Sequence, residues 1–233
     1  MLGLFEKKAN KSRFDPHTPI TDVRYVVVDT ELTGLDEKRD SIVSIGAVRM
    51  TGGKIDLGDT FYRLVSPRTE LTAASVIIHE ITPSDVAASP AIGPVLEEFL
   101  EFCGPSVLVG HFISIDLAFL SREMKRLRSS AVANRAVDTF SIHEWLRKRG
   151  KARDCVEAPR TGHRLYDLAR CYGVPVNGAH NAIMDAYATA QLFQRFLPLV
   201  AEAGAGDIGE LLKIGIPFEG GDRFGLTGEI TNF

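Results

Sequence analysis

The sequence predicts an α/β fold, a mixed five-stranded sheet with helices packed on it, and three observations carry that prediction. First, three apolar, β-branched runs follow one another early in the chain: "YVVVD" from Tyr25, "SIVSIGAVRM" from Ser41 and "KIDLGDTFYRLV" from Lys54. Second, helical and strand-like segments alternate after about residue 73, which is the pattern of helices laid over a sheet. Third, the turn after the first run reads "DTELTGL" and holds no G-x-G-x-x-G, so the phosphate cradle of a dinucleotide-binding fold is missing.

The first three runs are expected as antiparallel neighbours, with "TGG" at Thr51–Gly53 as the tight turn between the second and third. A short helix is expected near Ala73–His79. Another starts after Ser89, with Pro90 near its first turn, and runs to Phe102. "SVLVG" reads as a short buried fourth strand. "SIDLAFLSREMKRLR" is an amphipathic helix whose Ile115, Phe119 and Leu127 fall near helical spacing. "AVDTF" supplies the fifth strand. The segments "RLYDLARCYG", ending at Gly173, and "AIMDAYATAQLFQRFLPLV" close the body as helices.

Composition bounds the rest. A chain of 233 residues, 45% hydrophobic and 24% charged, can bury a sizeable core. Its formal charge of −3 does not advertise nucleic acid, although a local groove can differ from the bulk. Cys103, Cys155 and Cys171 are odd in number, far apart and without a C-x-x-C, which argues against a disulfide framework or a thiolate zinc site and suits a reducing compartment. No apolar stretch approaches 18 residues, and "MLGLFEKKANKSRF" has too short an apolar run for a signal peptide. The expectation is a soluble, cytoplasmic protein without a membrane partner. It divides into a polar N-terminal extension (1–22), a body (23–201) and a C-terminal tail or added element (202–233).

The body carries an electrostatic problem. Asp29 and Glu31 sit one residue apart at the end of the first strand, and in an extended chain that spacing sends both side chains to one face, roughly 6.6 Å apart along the strand. Two anions facing one way at the end of a core strand repel each other and resist burial. Asp116 opens the helix after the fourth strand. The last helix begins "GAHNAIMDAYATA", with His180 just ahead of it and Asp185 in its first two turns. Ala182, Ala186 and Ala190 form a small-residue stripe that lets this helix lie close to the sheet, bringing Asp185 toward the strand-one acids. Hard oxygen ligands of this kind suit Mg²⁺ or Mn²⁺, and bound cations neutralise anions that otherwise could not share a site. Two such ions, about 3.5–4 Å apart, can clamp the attacking and leaving oxygens of a phosphodiester.

"VVVDTELTGL", "LVGHFISIDLAFL" and "GAHNAIMDAYATA", in this order and at these separations, resemble the three motifs of the DEDDh 3′–5′ exonucleases. This ribonuclease-H-like group includes the exonuclease domain of the DNA polymerase III epsilon subunit and ribonuclease T. The likeness covers roughly residues 24 to 198. "IHEITPSDV" resembles the family's His-Gly-Ile-Thr segment, and "AVDTFSI" resembles the strand before its next helix. The resemblance implies a ribonuclease-H-like fold and a metal-dependent 3′–5′ exonuclease that releases nucleoside 5′-monophosphates from a DNA or RNA 3′ end, single-stranded ends above all. It implies two Mg²⁺ or Mn²⁺ ions as cofactors: Asp29, Glu31 and Asp185 would hold the ion that activates water, and Asp29 and Asp116 the ion facing the leaving group. His180 would be the general base. Thr30, Leu32 and Thr33 follow the first ligands on the turn that meets the terminal nucleotide, and Ile78 and His79 match positions that sandwich its base. Family members are dimers or join a polymerase, so a polymerase partner or a homodimer is implied as well.

Plainer readings stand beside these. An isolated D-x-E is ordinarily a solvated strand end, Asp116 could merely favour a helix N-terminus, and His180 and His79 could be loop histidines bonded to backbone. His111 and His163 read as structural. The basic runs Arg122–Arg128 and Arg147–Arg153 read as solvated helix faces before they read as a phosphate track. Phe112 stands where the family usually has Asn, Ile115 where it has an aromatic that can stack on the terminal base, and Ser44 where Glu is frequent; none of these removes a metal ligand. The competing functional readings are a catalytically lost scaffold or nucleic-acid-binding subunit on the same fold, and an unrelated phosphatase beginning from "DTE".

Overall fold

In the computed structural model, which describes residues 15–129, 131–153, 164–176 and 180–218, the expected meander forms strands β1 (Arg24–Leu32), β2 (Ile42–Thr51) and β3 (Lys54–Leu64). β1 pairs antiparallel with β2, and β2 with β3. β4 (Val107–Gly110) adds parallel to the free edge of β1, and β5 (Ala136–Asp138) parallel to β4. The order is β3-β2-β1-β4-β5, a mixed five-stranded sheet whose central strand is β1.

Between and after the strands lie α1 (Ala73–His79), α2 (Pro83–Val86), α3 (Ile92–Cys103), α4 (Ser114–Arg128), α5 (Thr139–Lys148), α6 (Leu165–Cys171), α7 (Ala182–Glu202) and α8 (Ile208–Ile214). The two-residue period of β1 sorts the core into two layers. Tyr25 and Val27 join Val48, Met50, Val107 and Val109 under α5, α6, α7 and α8. Val26 and Val28 join Ile45, Ala47, Phe61 and Leu108 under α3 and α4. Among the described residues no helix is long and apolar enough to cross a membrane.

Three features differ from the sequence expectation. Thr139 and Phe140, read as the end of a strand, open α5, because the Asp138 carboxylate accepts the Phe140 N–H at 2.8 Å and caps the helix there. Past residue 202, where the sequence left a tail or an added element open, the chain forms α8, capped by Asp207, whose carboxylate accepts the Glu210 N–H at 2.9 Å; Ile208 and Leu211 are fully buried. The segment ahead of β1 is not wholly polar in its packing: Ile20 is also buried, and its N–H donates to Gly206 O at 3.0 Å, so the stretches around Ile20 and Gly206 meet on the α7 side of the sheet. Cys171, at the end of α6, is disulfide-bonded, and Cys103 is a buried free thiol. Spacing along the chain does not report the Cα separation that permits a bridge. His163 and Cys155 lie outside the described residues.

Candidate active site

The alternation that sends Tyr25 and Val27 under α7 sends Asp29 and Glu31 to the same face, at the end of the central strand. What brings Asp185 to them is the seating of α7. Ala182, Ala186 and Ala190 are fully buried, and the helix start rests directly on Gly46, the cross-strand partner of Asp29. A Cβ at Gly46 would come within 2.2 Å of the Ala182 carbonyl carbon and 2.3 Å of the Ile183 nitrogen, so no larger residue fits. Asp185, in the first turn of α7, thereby joins the β1 acids: one carboxylate oxygen each from Asp29, Glu31 and Asp185 lie within 4.8 Å of one another.

Asp116 approaches from the other layer. It is buried in the first turn of α4, and the Thr30 hydroxyl, which alternates to that side of β1, donates to its Oδ1 at 2.6 Å. The cluster is strongly perturbed. Burial first, then the charges of Asp116, Asp185 and Glu31, raise the Asp29 carboxyl well above the ordinary range. Burial, then Asp185 and Asp116, push Glu31 up to about 8. Burial likewise raises Asp116 to about 7, against the Thr30 hydrogen bond, and Asp185 to about 6. Among the described residues none of the four is paired with Lys or Arg. Buried hard oxygen donors without a protein counter-charge fit a divalent cation, which is the missing partner that the D-x-E spacing calls for.

His180 stands directly before Asn181, the N-cap residue of α7, and takes a left-handed backbone with φ of 60°. For a residue with a Cβ that conformation costs about 1–2 kcal/mol, so something must hold it. The His180 N–H donates to the Tyr166 hydroxyl at 2.8 Å, and that hydroxyl donates in turn to Asp185 Oδ1. Burial, then the positive charge of Arg164, lower the His180 imidazole below its usual value, keeping it neutral and able to accept a proton.

A groove of about 350 Å³ opens from His180 and Asn181 toward Tyr62, His79 and Met184. His79 Nδ1 accepts the Ile81 N–H at 3.0 Å, which leaves Nε2 as the protonated nitrogen, and that buried atom has no partner among the described residues. Among the described residues, buried Asn181 Oδ1 and Ser44 Oγ also find no partner. Ile78 is half-buried beside His79 on α1. Leu32 and Ile115 pack against the α3–α4 layer. The Thr33 hydroxyl is used within the turn after β1, donating to Asp40 Oδ1 at 2.9 Å and accepting the Ser41 N–H at 3.0 Å.

The structure thus brings Asp29, Glu31, Asp116, Asp185 and His180 to one place and His79 to its rim, while the Thr30 and Thr33 hydroxyls are committed to neighbours inside the protein. The basic runs are largely spent. Arg122, Arg126 and Arg68 surround buried Glu123, and although burial pushes its carboxyl up, the arginines hold it below the usual range. Arg128 pairs with Glu97 at 2.6 Å and Arg147 with Glu144 at 2.8 Å. His111 Nδ1 lies 2.8 Å from the Thr139 hydroxyl, consistent with a structural role. Two residues that the sequence did not single out matter here. Tyr166 sits in a segment read only as a closing helix. Asp138 is buried, accepts the Phe112 N–H at 3.2 Å and holds that residue at φ of 54° in the turn ahead of Asp116. Neither has a spacing signal, since each meets its partners only across the fold.

Comparison with known proteins agrees with this architecture. Residues 26–193 match the RNase_T family model, described as Exonuclease. A DNA polymerase III subunit epsilon-like protein of Rhodobacter capsulatus is 35% identical over 198 residues, 84% of this chain, which spans only 27% of that relative's own length. Among solved structures, E. coli Exonuclease I in complex with a dT13 oligonucleotide superposes with a TM-score of 0.68 at 18% identity, covering 78% of this chain and 42% of that one. The nuclease domain of 3′hExo, a DEDDh family member bound to rAMP, superposes with a TM-score of 0.62 at 18% identity, covering 78% and 93%. With the family model spanning most of the chain and the acids and histidine of all three motifs gathered at one end of the sheet, the chain belongs to the RNase T exonuclease family.

Proposed function

We propose that this protein is a 3′–5′ exonuclease that hydrolyses the terminal phosphodiester of a single-stranded DNA or RNA 3′ end and releases a nucleoside 5′-monophosphate. One observation carries the reading: three carboxylates converge within 4.8 Å with no Lys or Arg paired to them among the described residues, a cluster that costs stability unless cations occupy it. Asp29, Glu31 and Asp185 are the ligands proposed for one Mg²⁺ or Mn²⁺, and Asp29 and Asp116 for a second. Such ions would supply Lewis acidity, lowering the pKa of an attacking water and stabilising the departing oxygen.

The chain's own residues do the rest. His180, held neutral, takes the proton from the attacking water. The new bond joins water oxygen to phosphorus. The bond that breaks joins phosphorus to the 3′ oxygen of the preceding nucleotide, which takes a proton from solvent and becomes the new 3′ hydroxyl. Thr30 keeps Asp116 turned toward β1. The groove at His79, Tyr62 and Asn181 is the proposed seat of the terminal nucleotide, with Ile78, Leu32, Thr33 and Ile115 as its further contacts, and His79 Nε2 and Asn181 Oδ1, unpartnered among the described residues, suit the nucleotide's polar edge. The name of the epsilon-like relative supports a polymerase as partner.

Incubating 5′-labelled single- and double-stranded DNA and RNA with Mg²⁺ or Mn²⁺ tests the reading. The expected result is a ladder of label-retaining products shortened one nucleotide at a time, lost on chelation and in Asp29→Asn. Immediate release of labelled mononucleotide would show the opposite polarity, and no metal-dependent cleavage would favour a scaffold.

A further inference from the structure

We propose that Tyr166 is a positioning residue of the exonuclease site: its one hydroxyl ties the ligand carboxylate of Asp185 to the backbone of His180, setting ligand and base relative to each other. The inference rests on the nuclease reading above and adds to it a residue from α6.

A phenol has a single proton to give. An ionised carboxylate can only accept, so the Tyr166 proton goes to Asp185 Oδ1 and the hydroxyl oxygen is left to accept the His180 N–H at 2.8 Å. Each bond fixes what the other needs. The first stops the Asp185 carboxylate from rotating about its terminal bond, leaving Oδ2 for a cation. The second pins the residue whose backbone lies at φ of 60°, a conformation that has to be held from outside. The ring adds a lateral contact, lying edge-on to the His180 imidazole at 5.5 Å and 82°. Tyr166 is itself anchored, because its neighbours Leu165 and Leu168 are buried in the core layer shared with α7 and Ala169 is fully buried.

Other tyrosines show what a merely structural hydroxyl does in this fold. Tyr25 donates to the Ile20 carbonyl at 3.0 Å and Tyr187 to the Leu57 carbonyl at 3.3 Å. Their partners are main-chain oxygens remote from the acids. Tyr166 instead spends both hydrogen bonds on the residues assigned to chemistry.

The test compares the full chain with Tyr166→Phe, which keeps the ring and removes only the hydroxyl. Calorimetric titration with Mn²⁺, without nucleic acid, should show affinity weakened by about 10–100-fold, the usual loss when a partner of a metal-binding carboxylate is removed. At saturating Mn²⁺ the single-turnover rate should stay at least tenfold low while KM for an oligonucleotide changes little. The His180 amide should exchange slowly with solvent in the wild type and faster in the variant. Unchanged Mn²⁺ affinity and rate, even with a lowered Tm, would overturn the proposal by making Tyr166 structural. Should the variant not fold, exchange in the wild type decides: a protected His180 amide supports the tie and an unprotected one refutes it. A wild type that binds Mn²⁺ yet degrades no nucleic acid would sink the nuclease reading alone, since the two affinities still judge Tyr166.

Discussion

His180 and the four acids respond to pH in opposite senses. Burial and the Arg164 charge lower the His180 imidazole, so it stays neutral at pH values where an ordinary histidine is half charged. The acid limb of the rate profile is therefore expected below pH 6.5, and His180→Ala should lower the single-turnover rate by about 10²–10⁴-fold and flatten that limb. For the acids, Glu31 is raised to about 8 and Asp116 to about 7, and Asp29 lies well above the ordinary range. Unfolded carboxyls are ionised by then, so above neutrality the metal-free folded state carries more protons than the unfolded one. Stability then falls as pH rises. Each retained proton costs about 1.4 kcal/mol per pH unit, or roughly 3–6 °C in Tm for a chain of this size. Melting in a chelator from pH 7 to 8.5 should show that decline, and saturating Mg²⁺ should abolish it. A flat metal-free profile would mean that the carboxylates do not repel one another as their burial implies.

Helix α7 contributes position rather than chemistry. Because its start rests on Gly46, opposite Asp29, the separation between β1 and Asp185 is set by main chain against main chain. Gly46→Ala is expected to push the helix outward, lower Tm, and weaken Mn²⁺ binding by tenfold or more although no ligand is altered. Titration of the folded variant with Mn²⁺ checks it, and wild-type affinity would show that the helix start gives way locally. At this scale the sequence was readable where periodicity is strong. The two-residue period of "YVVVDTEL" placed Asp29 and Glu31 on one face, and the alanine stripe placed Asp185 near them. It was not readable where a partner is remote. Asp138 turned the expected end of β5 into the start of α5 through a side-chain cap, and the hydroxyl of Thr30 found Asp116 across 86 residues of chain. Tyr166 was hidden for the same reason, since nothing local distinguishes a phenol that bonds two acidic-site residues from one that fills a core.

Across the described residues, the segment ahead of β1 and the one after α7 close over the same core layer. α8 buries Ile208 and Leu211, and beyond it the Gly215 carbonyl accepts the Asp138 N–H at 2.8 Å, continuing the hydrogen bonding of the β5 end. Phe218 lies edge-on to Phe140 with ring centroids 5.4 Å apart. Ending the chain after Gly206 removes two fully buried side chains, each worth about 1.5–3 kcal/mol, so Tm should fall by on the order of 10 °C. The loss should also loosen the Asp138 grip on Phe112, lowering the rate at temperatures where the shortened chain is still folded; a truncated protein with wild-type melting would mean that α8 merely rests on the surface. The sheet order carries a last consequence. β1, which bears two of the ligands, has β2 and β3 on one side and β4 and β5 on the other. A strand so placed has no route to solvent by fraying at an edge, and its amides should be among the slowest to open. Loss of cation binding and collapse of the fold should then be one cooperative event, with denaturant curves followed by metal release and by circular dichroism sharing a single midpoint.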